Sequence, residues 1–218
     1  MYADRALVVP ERRRGALSAL VLTVSLAAGL LTACGESENP TDGATLTAMD
    51  HIPYPVDDSA LTTLDGQPFS LASDLDRPLT LVFFGYTNCP DICPLVMSTM
   101  ASAMVRLEED ERSQVEVLFI TSDPKRDTPA VIGDYLDHYD PNFVGLTGDI
   151  DTIAGVAESL HIYVSDGTEL PSGGYDFNAH GTQITGMDSD GQATVLWSQD
   201  VSPATLATDI RILLQESR

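Results

Sequence analysis

The chain predicts a three-layer α/β sandwich, and three observations carry that expectation. Leu79, Leu81, Val82, Phe83 and Phe84 make a short, nearly continuous apolar run of strand formers, the pattern of a strand buried on both faces of a sheet. Runs of this kind alternate with stretches of helical period, which calls for parallel strands joined by crossover helices. After the last such unit the order changes to two strands around Asp190-Gly191 and a closing helix, so antiparallel strands finish the sheet.

Residues 1–33 read as a targeting segment. Arg12, Arg13 and Arg14 form a basic start, Gly15 to Leu31 an apolar core, and Leu31-Thr32-Ala33-Cys34 resembles the lipobox of bacterial lipoproteins. Cleavage there would leave Cys34 as the lipid-bearing first residue of the mature chain. The competing reading is a plain signal anchor that stays in the membrane. Residues 34–58, polar and without a period, are expected to be a flexible tether that includes His51; the folded domain is expected at 59–218.

Within that domain, Leu61–Leu64 and Gln67–Leu71 flank Asp65-Gly66 as a hairpin. The apolar strand at 79–84 follows. Ile92, Leu95, Val96, Met100, Ala103, Met104 and Leu107 then recur at three- and four-residue steps, which is a helix. Val115–Ile120 is a second buried strand. Pro129 starts a helix carrying Val131, Ile132, Tyr135, Leu136 and Tyr139, with Asp127 or Thr128 as its cap. Val144–Leu146 is a short strand, and Asp149 is placed to cap a helix striped by Ile153, Val156, Ala157 and Leu160. His138 and His161 fall at or near helix ends, where the C-terminal dipole accommodates imidazole. Ser165–Ala179 reads as a loop that ends at His180. Gln183–Met187 and Thr194–Trp197 are the late strands, and Pro203–Glu216 is the last helix.

With 218 residues, 43% hydrophobic content and a formal net charge of −22, the chain is a packed acidic globule behind its extension. No basic stripe exists to neutralise phosphates, which excludes nucleic-acid binding. The acidic surface is a well-solvated coat, or a docking face for a cationic partner or metal ion. Three cysteines are too few for a disulfide scaffold.

The chemistry concentrates at Leu79–Cys93, LTLVFFGYTNCPDIC. Cys89 falls in the strand-to-helix loop and Cys93 in or near the first helical turn, where unpaired amides and the dipole favour thiolate. The two sulfurs can converge on one small volume, as a disulfide or a soft metal ion requires. A static structural disulfide closing so short a loop would restrain the unfolded chain little. Asp91, between them, reads as a helix-start residue or a nearby charge.

FGYTNCPDICP at 84–94, TSDPKRDTPAVIGDYL at 121–136 and NFVGLTG at 142–148 resemble the Sco/SenC family, over roughly residues 60–215. The resemblance implies a thioredoxin-like α/β/α fold, a membrane tether and a role in assembling the binuclear copper centre of cytochrome c oxidase. It also implies copper ligation by two motif cysteines and one distal histidine, which here are Cys89, Cys93 and His180. The chain departs from the family around that histidine: Asn178-Ala179-His180-Gly181 stands where an Asp-His-Ser core is usual, which alters what orients the imidazole. Two thiolates and an imidazole suit Cu(I) and Cu(II), whereas zinc generally takes four protein ligands in a closed site.

Two functions follow as expectations. One is delivery of copper to oxidase subunit II, or a related copper protein, from the extracytoplasmic face of the bacterial cytoplasmic membrane. The other is thiol–disulfide exchange by Cys89 and Cys93, which would form their own disulfide and keep the client's cysteines reduced. Three residues between the cysteines, and no proline just before the Gln183 strand, set the chain apart from thioredoxins and favour the first. Asp123 and Asp127 match the second family motif; a place for Asp123 or Arg126 near the metal or at a partner surface stays open.

Overall fold

The computed structural model describes residues 41, 43–165, 168–169, 175–176 and 181–217. Cys34, His180 and the whole of the 1–33 segment lie outside the described residues.

The strands are β1 (Met49–Pro55), β2 (Leu61–Thr63), β3 (Pro68–Phe69), β4 (Leu79–Gly85), β5 (Val115–Thr121), β6 (Val144–Thr147), β7 (Thr168–Glu169), β8 (Tyr175–Asp176), β9 (Ile184–Met187) and β10 (Gln192–Trp197). The helices are α1 (Ile92–Met104), α2 (Glu109–Arg112), α3 (Pro129–Asp137), α4 (Ile150–Ser159) and α5 (Pro203–Glu216). Eight strands form one sheet in the order β1-β10-β9-β4-β5-β6-β2-β3. Its centre is parallel, with β4 on β5 from Leu79↔Val115 to Gly85↔Thr121 and β5 on β6; the other pairs are antiparallel.

All seven residues of β4 are buried because both faces of the sheet are covered. Leu81, Phe83, Val117 and Phe119 pack with Met97 and Met100 of α1, Ile132 and Leu136 of α3, and Leu206 and Ile210 of α5. The alternate residues Val82, Phe84, Leu118 and Ile120 point the other way, toward Ile153, Val156 and Ala157 of α4 and toward Leu61 and Leu71. One set of side chains thus meets three helices and the other meets one, which is the expected α/β/α sandwich. Gly66 and Gly191 hold φ of +84° and +70° at the two Asp-Gly turns, where a side chain would be strained.

Three local expectations change, and one short helix is added. Residues 49–55, inside the segment 34–58 expected to be a tether, form β1 along the edge of β10. The chain is held there by the wholly buried carboxylate of Asp209, which accepts from Thr47 N–H at 3.0 Å, Thr47 Oγ1 at 2.7 Å, Ala48 N–H at 3.0 Å and Trp197 Nε1 at 2.8 Å. His51 is therefore part of a strand, its ring stacked on Tyr54 at 4.9 Å, with His161 on the same tyrosine at 4.9 Å. The short helix α2 has no apolar residue to give a period; it is closed by a capping box in which Glu111 accepts from Glu108 N–H at 2.9 Å. The expected loop at 165–179 contains the short pair β7 and β8.

Candidate dithiol and metal centre

β4 and β5 end side by side, and the loops leaving them build the site. Gly85 closes β4 where a Cβ would stand 2.9 Å from Phe83, 3.0 Å from Cys93 Sγ and 3.1 Å from Phe119. The absence of a side chain there lets the backbone pass directly against the sulfur. The chain then turns, with Cys89 N–H donating to Tyr86 C=O at 3.2 Å, and enters α1. Asp91 occupies the N-cap position, yet its side chain makes no capping bond.

Cys93 is buried and Cys89 half-buried, and no disulfide joins them. The Cys93 amide donates to Cys89 Sγ at 3.3 Å, which brings the two residues together across the start of α1. Their acid strengths diverge. Burial pushes the Cys89 thiol up, but donation from the amides of Asp91 and Cys93, from the Cys93 thiol and from Tyr86 outweighs it and leaves Cys89 below the ordinary thiol range. At Cys93 burial dominates; the Tyr86 amide lowers it somewhat, while its contact with Cys89 and the charges of Cys89 and Asp127 add to the rise, so it stays well above that range. Burial, followed by the neighbouring Cys89 charge, likewise raises the Tyr86 phenol.

Tyr86 and Asp127 are the site residues that sequence reasoning missed. Thr128, not Asp127, caps α3, accepting from Val131 N–H at 3.4 Å. Asp127 turns into the site: its carboxylate is 1% exposed and accepts from Thr87 N–H at 3.0 Å, Thr87 Oγ1 at 2.6 Å and Thr121 Oγ1 at 2.7 Å. Ser122 N–H adds a second tie between the loops, to Gly85 C=O at 2.6 Å. Asp123 pairs with Arg126 on the outer side of this turn. The signal for Tyr86 and Asp127 was in the motifs themselves, as polar residues flanking two strand ends that a parallel pairing must bring together.

His138 caps the end of α3 and His161 follows α4 with a left-handed φ of +57°, both at helix ends as expected. Among the described residues no three His, Cys, Asp or Glu side chains converge as a metal site. The structure thus brings together Cys89 and Cys93, while the third expected ligand, His180, lies outside the described residues. Two adjacent thiols, one readily ionised, fit a soft monovalent cation and fit poorly the hard, oxygen-seeking ions.

A thioredoxin-like sandwich with a dithiol at the junction of its central strand and first helix defines the class of protein. The chain belongs to the SCO1/SenC family, whose sequence model matches residues 57–215. It is 38% identical over 103 residues to a putative copper-binding protein of Stutzerimonas stutzeri, covering 47% of this chain and 50% of that one. It is 34% identical over 140 residues to the mitochondrial SCO2 homolog of Bos taurus, covering 64% of this chain and 52% of that one. The chain spans about half the length of these curated relatives. Among solved structures, apo Sco1 from Thermus thermophilus superposes with a TM-score of 0.69 at 28% identity, covering 78% of this chain and 97% of that one. Copper-bound ScoI of Bradyrhizobium japonicum superposes with a TM-score of 0.64 at 32% identity, covering 73% and 99%.

Proposed function

We propose that this protein is an extracytoplasmic copper carrier, lipid-anchored through Cys34, that delivers copper to the binuclear copper site of cytochrome c oxidase subunit II. The observation that carries the reading is the pair of unbridged thiols held together at the start of α1, with Cys93 N–H on Cys89 Sγ at 3.3 Å. Copper is cargo here. Cys89, the more acidic thiol, offers the first sulfur; Cys93 gives up its proton as it becomes the second, and His180 supplies the nitrogen that Cu(II) needs. The copper-bound relative supports the assignment of the metal.

A second reading is favoured by the divergent acid strengths of the thiols. A half-buried, more acidic thiol beside a buried, protonated one is the arrangement of a thiol–disulfide oxidoreductase, in which Cys89 attacks and Cys93 resolves the mixed disulfide. The same residues then serve to keep the client's cysteines reduced.

His180→Ala separates the two. Under the carrier reading it retains weakened Cu(I) binding, loses the visible and EPR spectra of the Cu(II) form, and fails to support oxidase assembly in cells. Under the exchange reading it still supports assembly, while Cys89→Ser and Cys93→Ser do not. Unchanged Cu(II) spectra in His180→Ala would mean that another side chain is the third ligand.

A further inference from the structure

The geometry points to Asp127 as the positioning residue that holds Cys89 in register with Cys93 and so sets how readily the pair closes into a disulfide. This rests on the reading of the two cysteines as the functional pair. Cys93 is fixed by its own burial in the first turn of α1. Cys89 is only half-buried: its sulfur is met by the Cys93 amide and its own amide donates to Tyr86 C=O, so its place relative to Cys93 follows that of the loop that leads to it. That loop is fastened two residues upstream, at Thr87, whose amide and hydroxyl both donate to the Asp127 carboxylate.

The carboxylate is itself rigidly mounted. Asp127 N–H donates to Asp123 C=O at 3.0 Å, the next residue caps α3, and Thr121 at the end of β5 donates to the same carboxylate. The second sequence motif therefore reaches Thr87 of the first through one buried side chain. A carboxylate accepts from all three donors with its charge spread over both oxygens, whereas an amide in its place keeps one accepting oxygen and can meet the Thr87 hydroxyl with its NH₂ only if that hydroxyl turns to accept, which replaces charge-assisted bonds to the loop by weaker neutral ones. Releasing Thr87 lets Cys89 drift from Cys93, which lowers the effective concentration of one sulfur at the other.

The test equilibrates the full, metal-free chain anaerobically with oxidised and reduced dithiothreitol at a series of ratios. The pair gives two electrons and two protons to the oxidised reagent as its S–S bond forms; peptide mapping after alkylation reads Cys89–Cys93 separately from Cys34. Asp127→Asn should lower the disulfide-forming equilibrium constant by about tenfold. Thr87→Val, which removes one donor and leaves Asp127 in place, should shift it the same way, and Thr87→Ser should restore the wild-type value. Circular dichroism identifies folded variants; if Asp127→Asn does not fold, the Thr87 pair decides. Unchanged equilibrium constants in the folded variants, even with lowered thermal stability, would overturn the proposal and leave Asp127 a purely structural tie. A wild-type pair that does not close in oxidising buffer would overturn it as well. Cu(I) uptake measured on the same samples tests the functional reading separately, since its failure leaves the redox comparison intact.

Discussion

Two cysteines four positions apart acquire opposite acid strengths because one meets amide donors and the other meets apolar side chains. The thiolate is the reactive form, so alkylation of each cysteine rises with pH until its own pKa is passed. Cys89, lowered, should therefore reach its full alkylation rate at a lower pH than an ordinary thiol, and at neutral pH react faster than Cys93, which is raised and should gain rate only under strongly alkaline conditions. Mass mapping of the metal-free chain after timed alkylation reads both, and equal labelling at neutral pH would contradict the asymmetry. Gly85 makes the complementary prediction. Its added Cβ would press on Phe83, Cys93 Sγ and Phe119, so Gly85→Ala should cost about 1–3 kcal/mol in urea unfolding. The cysteines and their loop-to-helix setting were legible from residues 79–93, because burial and period switch sharply between a strand and a helix there. Asp127 was not, because Thr128 beside it offers the same capping chemistry and only the tertiary pairing of β4 with β5 decides between them.

At the scale of elements, strong periods were read correctly and externally imposed ones were missed. β4, β5, α1, α3 and α5 carry their burial in their own sequences. The strand β1, Met49-Asp-His-Ile-Pro-Tyr-Pro, is mostly exposed and contains two prolines, so nothing local marks it as a strand; the edge of β10 and the Asp209 carboxylate make it one. Two consequences follow. Asp209→Ala leaves the Trp197 indole N–H and the Ala48 amide buried without an acceptor and should destabilise the fold by about 3 kcal/mol, read from the urea midpoint at unchanged slope. A chain shortened to begin at Asp57, where the family match starts, should unfold at a lower temperature than one beginning at Thr41, because it exposes the β10 edge and the Asp209 pocket. Equal melting temperatures for the two would show that β1 lies on the domain without supporting it.

For the whole molecule, charge and the proposed anchor bear on where the dithiol works. A net charge of −22 favours a cationic patch on a client, and because salt screens such attraction over about 8 Å at physiological ionic strength, association should slow as salt rises. Rates that do not change with salt would assign the charge to solubility alone. Among the described residues no helix is long and apolar enough to cross a membrane, and the proposed attachment is through Cys34. Mass spectrometry of the membrane fraction should find a mature chain that begins at a lipid-modified Cys34; a different start, or no lipid, would contradict the anchor. The central claim is that Cys89 and Cys93 together form the copper-binding centre, and anaerobic titration of the reduced chain with Cu(I), against a competing chelator, tests it most directly. The account predicts one tightly held copper per wild-type chain and none at comparable affinity in Cys89→Ser or Cys93→Ser, with both variants folded by circular dichroism. Tight one-to-one binding that survives in either serine variant would contradict it.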